Sequence, residues 1–102
     1  MLIDSERESS GVALAKDRAA FIADCEALKF KVHTTEKRAF ENYLSDQAIK
    51  EEKGISFRAL ADFERLKDLP NGWSKGDNWR IARCMSREDV LATDIGKFLD
   101  EI

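Results

Sequence analysis

"SREDVLATDIGKFLDEI", residues 86–102, carries the clearest helical signature in the chain. Ser86, with Asp89 three positions on, makes a capping-box-like start in which a side-chain oxygen accepts from an amide of the first turn. Val90, Leu91, Ile95, Phe98, Leu99 and Ile102 then recur at helical spacing, predicting one helix to the end of the sequence with these residues turned inward. Gly96 costs that helix about 1 kcal/mol relative to alanine. A glycine in that place suits the close approach of another helix.

Upstream, the same period returns. From about Val12 to Val32, the residues Leu14, Phe21, Cys25, Leu28 and Val32 follow at intervals of seven, four, three and four, with Ala15 and Ile22 beside them. This predicts a long first helix with Lys16, Asp17, Asp24 and Lys29 left to water. FKVHTT at 30–35 also alternates, so a short strand there is the lesser expectation. Thr34 or Thr35 is placed to cap a second helix over about 36–52, with Phe40, Tyr43, Leu44 and Ala48 inward and Asp46 and Lys50 spaced to pair on its surface. Gly54 ends it in the usual manner. Ser56 as N-cap, an Ile55–Leu60 staple and a stripe of Ala59, Leu60, Phe63 and Leu66 predict a third helix, stopped by Leu69-Pro70-Asn71-Gly72.

One proline and five glycines in 102 residues favour helices over many short strands. The fold expected is all-α, a small bundle of four to five helices, with a frayed N-terminal tail over 1–11 and a single helical domain over 12–102. A chain of this size forms one domain and buries roughly two-thirds of its unfolded surface. With 43% hydrophobic and 36% charged residues it reads as globular with a heavily charged exterior.

Charge and motif content narrow the function. Seventeen Lys plus Arg stand against twenty Asp plus Glu, a net charge of −3, so no global basic field draws in a polyanion. The longest wholly apolar run is Ala19 to Ala23, far short of the ~20 residues that span a bilayer. The opening MLIDSERESSG has acids where a signal peptide needs basic residues, so a cytoplasmic protein without a membrane partner is expected. Cys25 and Cys84 do not make a disulfide framework, and Cys25 reads as a small core residue. The single histidine, His33, stands two helical turns, roughly 12 Å, from Cys25 on a straight helix, so the two form no catalytic pair. No metal, cofactor or nucleotide motif occurs, and no enzyme is expected.

The remaining feature is "PNGWSKGDNWRIARC" at 70–84, which holds both tryptophans beside two arginines. Asn71-Gly72 reads as a turn, and Asp77 or Ser74 as the cap of a short helix over about 78–85. Arg80, Arg83 and Arg87 would form one stripe if that helix ran on through Ser86, with Lys75 as a fourth cation. Either Trp73 and Trp79 fill a corner of the core, or the segment is a contact surface in which guanidinium groups stack on indoles and still fork onto carboxylate or phosphate. The candidate binding residues are therefore Trp73, Lys75, Trp79, Arg80, Arg83 and Arg87. The function expected is a non-enzymatic interaction module of the inhibitor, antitoxin, adaptor or regulatory-subunit type, with a protein partner that is acidic or phosphorylated. A DNA-binding regulator with a helix-turn-helix-like element using Arg80, Arg83 and Arg87 is the alternative, in which Asn78 would read a base edge. A third expectation is a self-assembling structural protein whose first helix forms a homodimer through Leu14, Phe21, Cys25 and Leu28.

Overall fold

In a computed structural model describing residues 1–101, helices carry the architecture. They are α1 (Lys16–Ala27), α2 (Asp46–Lys53), α3 (Asn78–Ala82), α4 (Arg87–Leu91) and α5 (Asp94–Asp100), with 3-10 turns at Phe40–Tyr43, Leu66–Asp68 and Lys75–Asp77. The all-α class is thus the one the chain adopts. Its one departure is a parallel pairing of β1 (Leu2–Ile3) with β2 (His33–Thr34), Leu2 opposite His33 and Ile3 opposite Thr34.

That pairing corrects the frayed tail. The His33 amide donates to Met1 O at 2.9 Å and the Thr35 amide to Ile3 O at 3.0 Å. Ser5 is buried, its amide donating to Thr35 Oγ1 at 3.0 Å and its hydroxyl to Lys37 O at 2.8 Å. Arg38 Nη1 donates to Glu6 O at 2.9 Å. The contacts are made through backbone groups, which the polar composition of SERE conceals. Within the N-terminal segment, the run in which every residue is exposed is Glu8 to Ala13.

The first helix is shorter than the apolar spacing predicts. It ends at Ala27 in a Schellman arrangement, the Phe30 amide donating to Cys25 O at 3.0 Å and the Lys29 amide to Glu26 O at 2.9 Å. Lys29 takes a φ of 66°, the left-handed conformation normally given to glycine, so nothing in the residue type marks the stop. Beyond it the chain is extended, and the alternation of FKVHTT yields β2 rather than more helix. Cys25 is the only buried residue of α1.

The core gathers Leu44, Ala48 and Ile49 at and on α2, Ile81 on α3, and Leu60, Leu66 and Trp73 from the connection between them. Ser45, not Thr34 or Thr35, caps α2 by accepting from the Ala48 amide, and Gly54 closes it with a φ of 118°. Asp46 and Lys50 pair at 3.3 Å as their spacing predicts.

The predicted helix over 56–69 does not form. Leu60 and Leu66 are buried as expected, but side chains claim the segment's backbone. Asn42 Nδ2 donates to Ala61 O and to Glu64 O, both at 2.8 Å, Lys50 Nζ to Phe57 O at 2.5 Å, and the Ala59 amide donates to Asp46 Oδ1 at 3.0 Å. Groups engaged this way are not free for a helical ladder. Ile55 is 89% exposed, so no staple exists.

The last segment is two helices rather than one. Ser86 caps α4 by accepting from the Asp89 amide at 3.1 Å, as the SRED pattern predicts. Thr93 then accepts from the Gly96 amide at 3.0 Å and starts α5 afresh. A Cβ on Gly96 would stand 2.0 Å from Val90 O, so the corner between α4 and α5 closes only because this residue has no side chain. Ile95 is buried and Leu99 exposed, while Ile102 lies outside the described residues.

Candidate functional site

The two tryptophans go separate ways. Trp73 is 6% exposed, belongs to the core and donates from Nε1 to Asn78 Oδ1 at 2.7 Å. It fills the corner, and its place in a contact surface is withdrawn. Trp79 on α3 is 56% exposed, with the Arg80 and Arg83 guanidinium carbons 5.2 Å and 4.9 Å from the centre of its ring. Arg83, four positions on, meets the ring along one helix face, while the adjacent Arg80 reaches it with its long side chain, and each stacking contributes about 0.5–1 kcal/mol when exposed.

The other two cations do not join them. Lys75 lies 3.3 Å from Glu41, a buried carboxylate that it neutralises. Arg87 opens α4 after the break at Ser86 and borders a different hollow, with Val90, Leu91, Gly96 and Leu99. The four-cation stripe therefore reduces to Arg80 and Arg83. Among the described residues neither is ion-paired. Asp77, whose carboxyl feels Arg80, is held below its ordinary range first by a hydrogen bond from Lys53, which reaches it at 2.6 Å.

Beside Trp79 opens a cleft of about 280 Å³ that sequence reading did not anticipate. Its walls come from Phe40 and Tyr43 on a 3-10 turn, Leu44, Trp79 and Ala82 on α3, Met85, Val90 on α4, and Ile95 on α5. The apolar spacing predicts Phe40, Tyr43 and Val90 turned inward on long helices. Because both helices break, these residues end as the walls of an open hollow instead. The signals for it were the two cap-forming residues, Ser45 and Thr93, that interrupt otherwise periodic stretches.

Most polar groups of this cleft are already engaged. Tyr43 donates its hydroxyl to Asp94 Oδ1 and accepts from the Lys37 amide at 3.0 Å. Asn78 Oδ1 is taken by Trp73, and Thr93 Oγ1 donates to Val90 O at 2.6 Å while accepting from Gly96. An occupant therefore meets apolar surface with few free hydrogen-bonding groups, which suits an apolar side chain and not a sugar or nucleobase.

Behind the cleft, Asp94 fastens three elements. Its Oδ2 is 2.5 Å from His33 Nε2 and accepts from the Glu36 amide at 3.2 Å. The His33 ring stacks on Phe98 with centres 5.2 Å apart. Burial works to raise the Asp94 carboxyl, but the hydrogen bonds from Tyr43, His33 and Glu36 outweigh it and hold it below its ordinary range. Burial, followed by the Asp94 acceptor, pushes the Tyr43 phenol far above its usual value, so it stays protonated. The cluster thus anchors the N-terminus of α5, which carries Ile95 into the cleft wall.

Cys25 is buried, its Sγ 3.9 Å from Met1 Sδ, and Cys84 is half-buried; both are free thiols. Desolvation, then Glu51 and Glu52, raise the Cys84 thiol and make it a weak nucleophile. No helix among the described residues is long and apolar enough to cross a membrane. No family model matches the chain, and neither a curated protein nor a solved structure matches it.

Proposed function

We propose that the chain is a non-enzymatic interaction module that binds a partner protein by taking an apolar side chain into the cleft beside Trp79. Arg80 and Arg83 then pair with carboxylates or phosphates flanking that anchor. The observation that carries this reading is the juxtaposition of an apolar hollow, a half-exposed tryptophan and two arginines with no ion pair of their own. Exposed Trp and Arg around a pocket are the residue types on which binding energy concentrates. A nucleic-acid surface fits the site less well, because Lys75 is engaged with Glu41 and Arg87 borders another hollow, leaving two cations for phosphate.

The test is a peptide-display selection against the folded chain, repeated with Arg80→Glu/Arg83→Glu. The reading predicts enrichment of an apolar residue flanked by Asp or Glu, loss of that enrichment in the variant, and a loss of stability no larger than two exposed stackings on Trp79 supply, about 1–2 kcal/mol. Binding that survives the charge reversal, or a loss of stability well beyond that, would refute the assignment.

A further inference from the structure

We infer that the occupant of the cleft is α1 of a second copy of this chain, docked head to tail; the inference rests on the reading of the cleft given above. On α1, Asp17, Phe21, Asp24 and Leu28 follow at intervals of four, three and four, which places them along one face of the helix and its last turn. Buried Cys25 sits at the margin of that face, and the four residues themselves turn outward. Phe21 is 52% and Leu28 73% exposed, and no residue of α1 enters the central core.

Charge decides what covers this face. Asp17 and Asp24 are both exposed, and neither is ion-paired among the described residues. Pairing α1 with α1 would bring four carboxylates onto one seam, and like charges at a helix contact repel. The Trp79 cleft offers the opposite: apolar walls for Phe21 and two unpaired guanidinium groups for the aspartates on either side of it. Asp17 and Asp24 lie about 10 Å apart along α1 at 1.5 Å per residue, with Phe21 between them. Arg80 and Arg83 bring their guanidinium groups to 5.2 Å and 4.9 Å from the ring centre of Trp79, which lines the cleft, so one aromatic anchor and two carboxylates meet one apolar hollow and two arginines. Docked head to tail, the contact is heterologous and propagates into rings or open chains, of which a reciprocal two-membered ring is the smallest. The homodimer expected through Leu14, Phe21, Cys25 and Leu28 is thereby replaced, because Cys25 faces inward.

The experiment is sedimentation velocity of the full chain over a wide concentration range, with two charge-reversed variants alone and mixed. Wild type should grow in mass with concentration. Arg80→Glu/Arg83→Glu has acids on both faces and Asp17→Lys/Asp24→Lys has bases on both, so each alone should associate at least about tenfold more weakly. Mixing the two restores complementarity at every junction and should restore assembly. A wild-type chain that stays monomeric throughout, or a mixture that does not reassemble, overturns the inference. A monomeric wild type that still enriches acid-flanked peptides would retain the cleft and discard only the second copy. Failure of both experiments would remove the cleft as well.

Discussion

Replacing Gly96 with alanine should be among the most damaging single-methyl changes in this chain. The added Cβ would stand 2.0 Å from Val90 O, 2.6 Å from Val90 C and 2.8 Å from Leu91 Cα. All three are backbone atoms of α4, so no rotamer change relieves the contact and the α4–α5 corner must open. Overpacking costs about 1–3 kcal/mol, and a clash against backbone belongs at the top of that range. Alanine's better helix propensity returns about 1 kcal/mol. The net is about 2 kcal/mol, and with ~4–8 °C per kcal/mol in a domain of this size the midpoint should fall by roughly 8–16 °C. Thermal unfolding followed by circular dichroism reads this directly, with Gly11→Ala as control, since nothing lies within 4 Å of a Cβ there. Because Thr93 and Ile95 line the cleft, peptide binding should weaken in the same variant. A Gly96→Ala chain melting at or above wild type would refute the close-approach account of the corner.

Other expectations follow from the same contacts. Trp73→Ala should cost about 3–5 kcal/mol in denaturant unfolding, whereas half-exposed Trp79→Ala should cost about 2 kcal/mol, from partial burial and two lost guanidinium contacts; equal costs would mean the two indoles are wrongly distinguished. Lys29→Gly should stabilise the chain by about 1 kcal/mol by relieving the left-handed residue that ends α1, and a loss of stability would contradict the Schellman geometry. Glu64 is held down to about 2 from 4.5, first by the Arg58 hydrogen bond and then by the Ala61 amide. A carboxyl depressed in the folded state contributes fully above its unfolded value and loses that contribution as the pH falls through the folded one. Stability should therefore decline between pH 4.5 and about 2, less steeply in Glu64→Gln; an unchanged acid profile in that variant would count against the Arg58–Glu64 pair.

What could be read in advance was composition, periodicity and certain caps. The all-α class, the stop at Gly54, the Ser86 cap and the closeness allowed by Gly96 are each written in residue type, because glycine and small hydroxyl residues do local work that packing does not override. What could not be read has equally specific causes. A lysine stands where a glycine would have announced the end of α1. Thr93 begins α5 inside a stretch whose apolar spacing continues as though unbroken. Between 55 and 65 the helical period is real and Leu60 is buried, yet Asn42, Asp46 and Lys50 take the backbone groups a helix would need. Those partners lie many residues away in sequence, where periodicity carries no information. The site followed suit: Trp79 with Arg80 and Arg83 was legible as a local cluster, while the cleft depended on where α4 and α5 return.

The two indole N–H groups provide the most direct measurement. In a ¹⁵N-labelled sample Trp73 Nε1 is bonded to Asn78 inside the core and Trp79 is half exposed, so their resonances should respond differently to a peptide drawn from the display selection. Titration should shift the Trp79 indole together with the Arg80 and Arg83 side-chain signals and leave the Trp73 indole in place. Shifts centred instead on Lys75 and Trp73, or on Arg87, with Trp79 unmoved, would show that the partner binds elsewhere and that the cleft is not the interaction site.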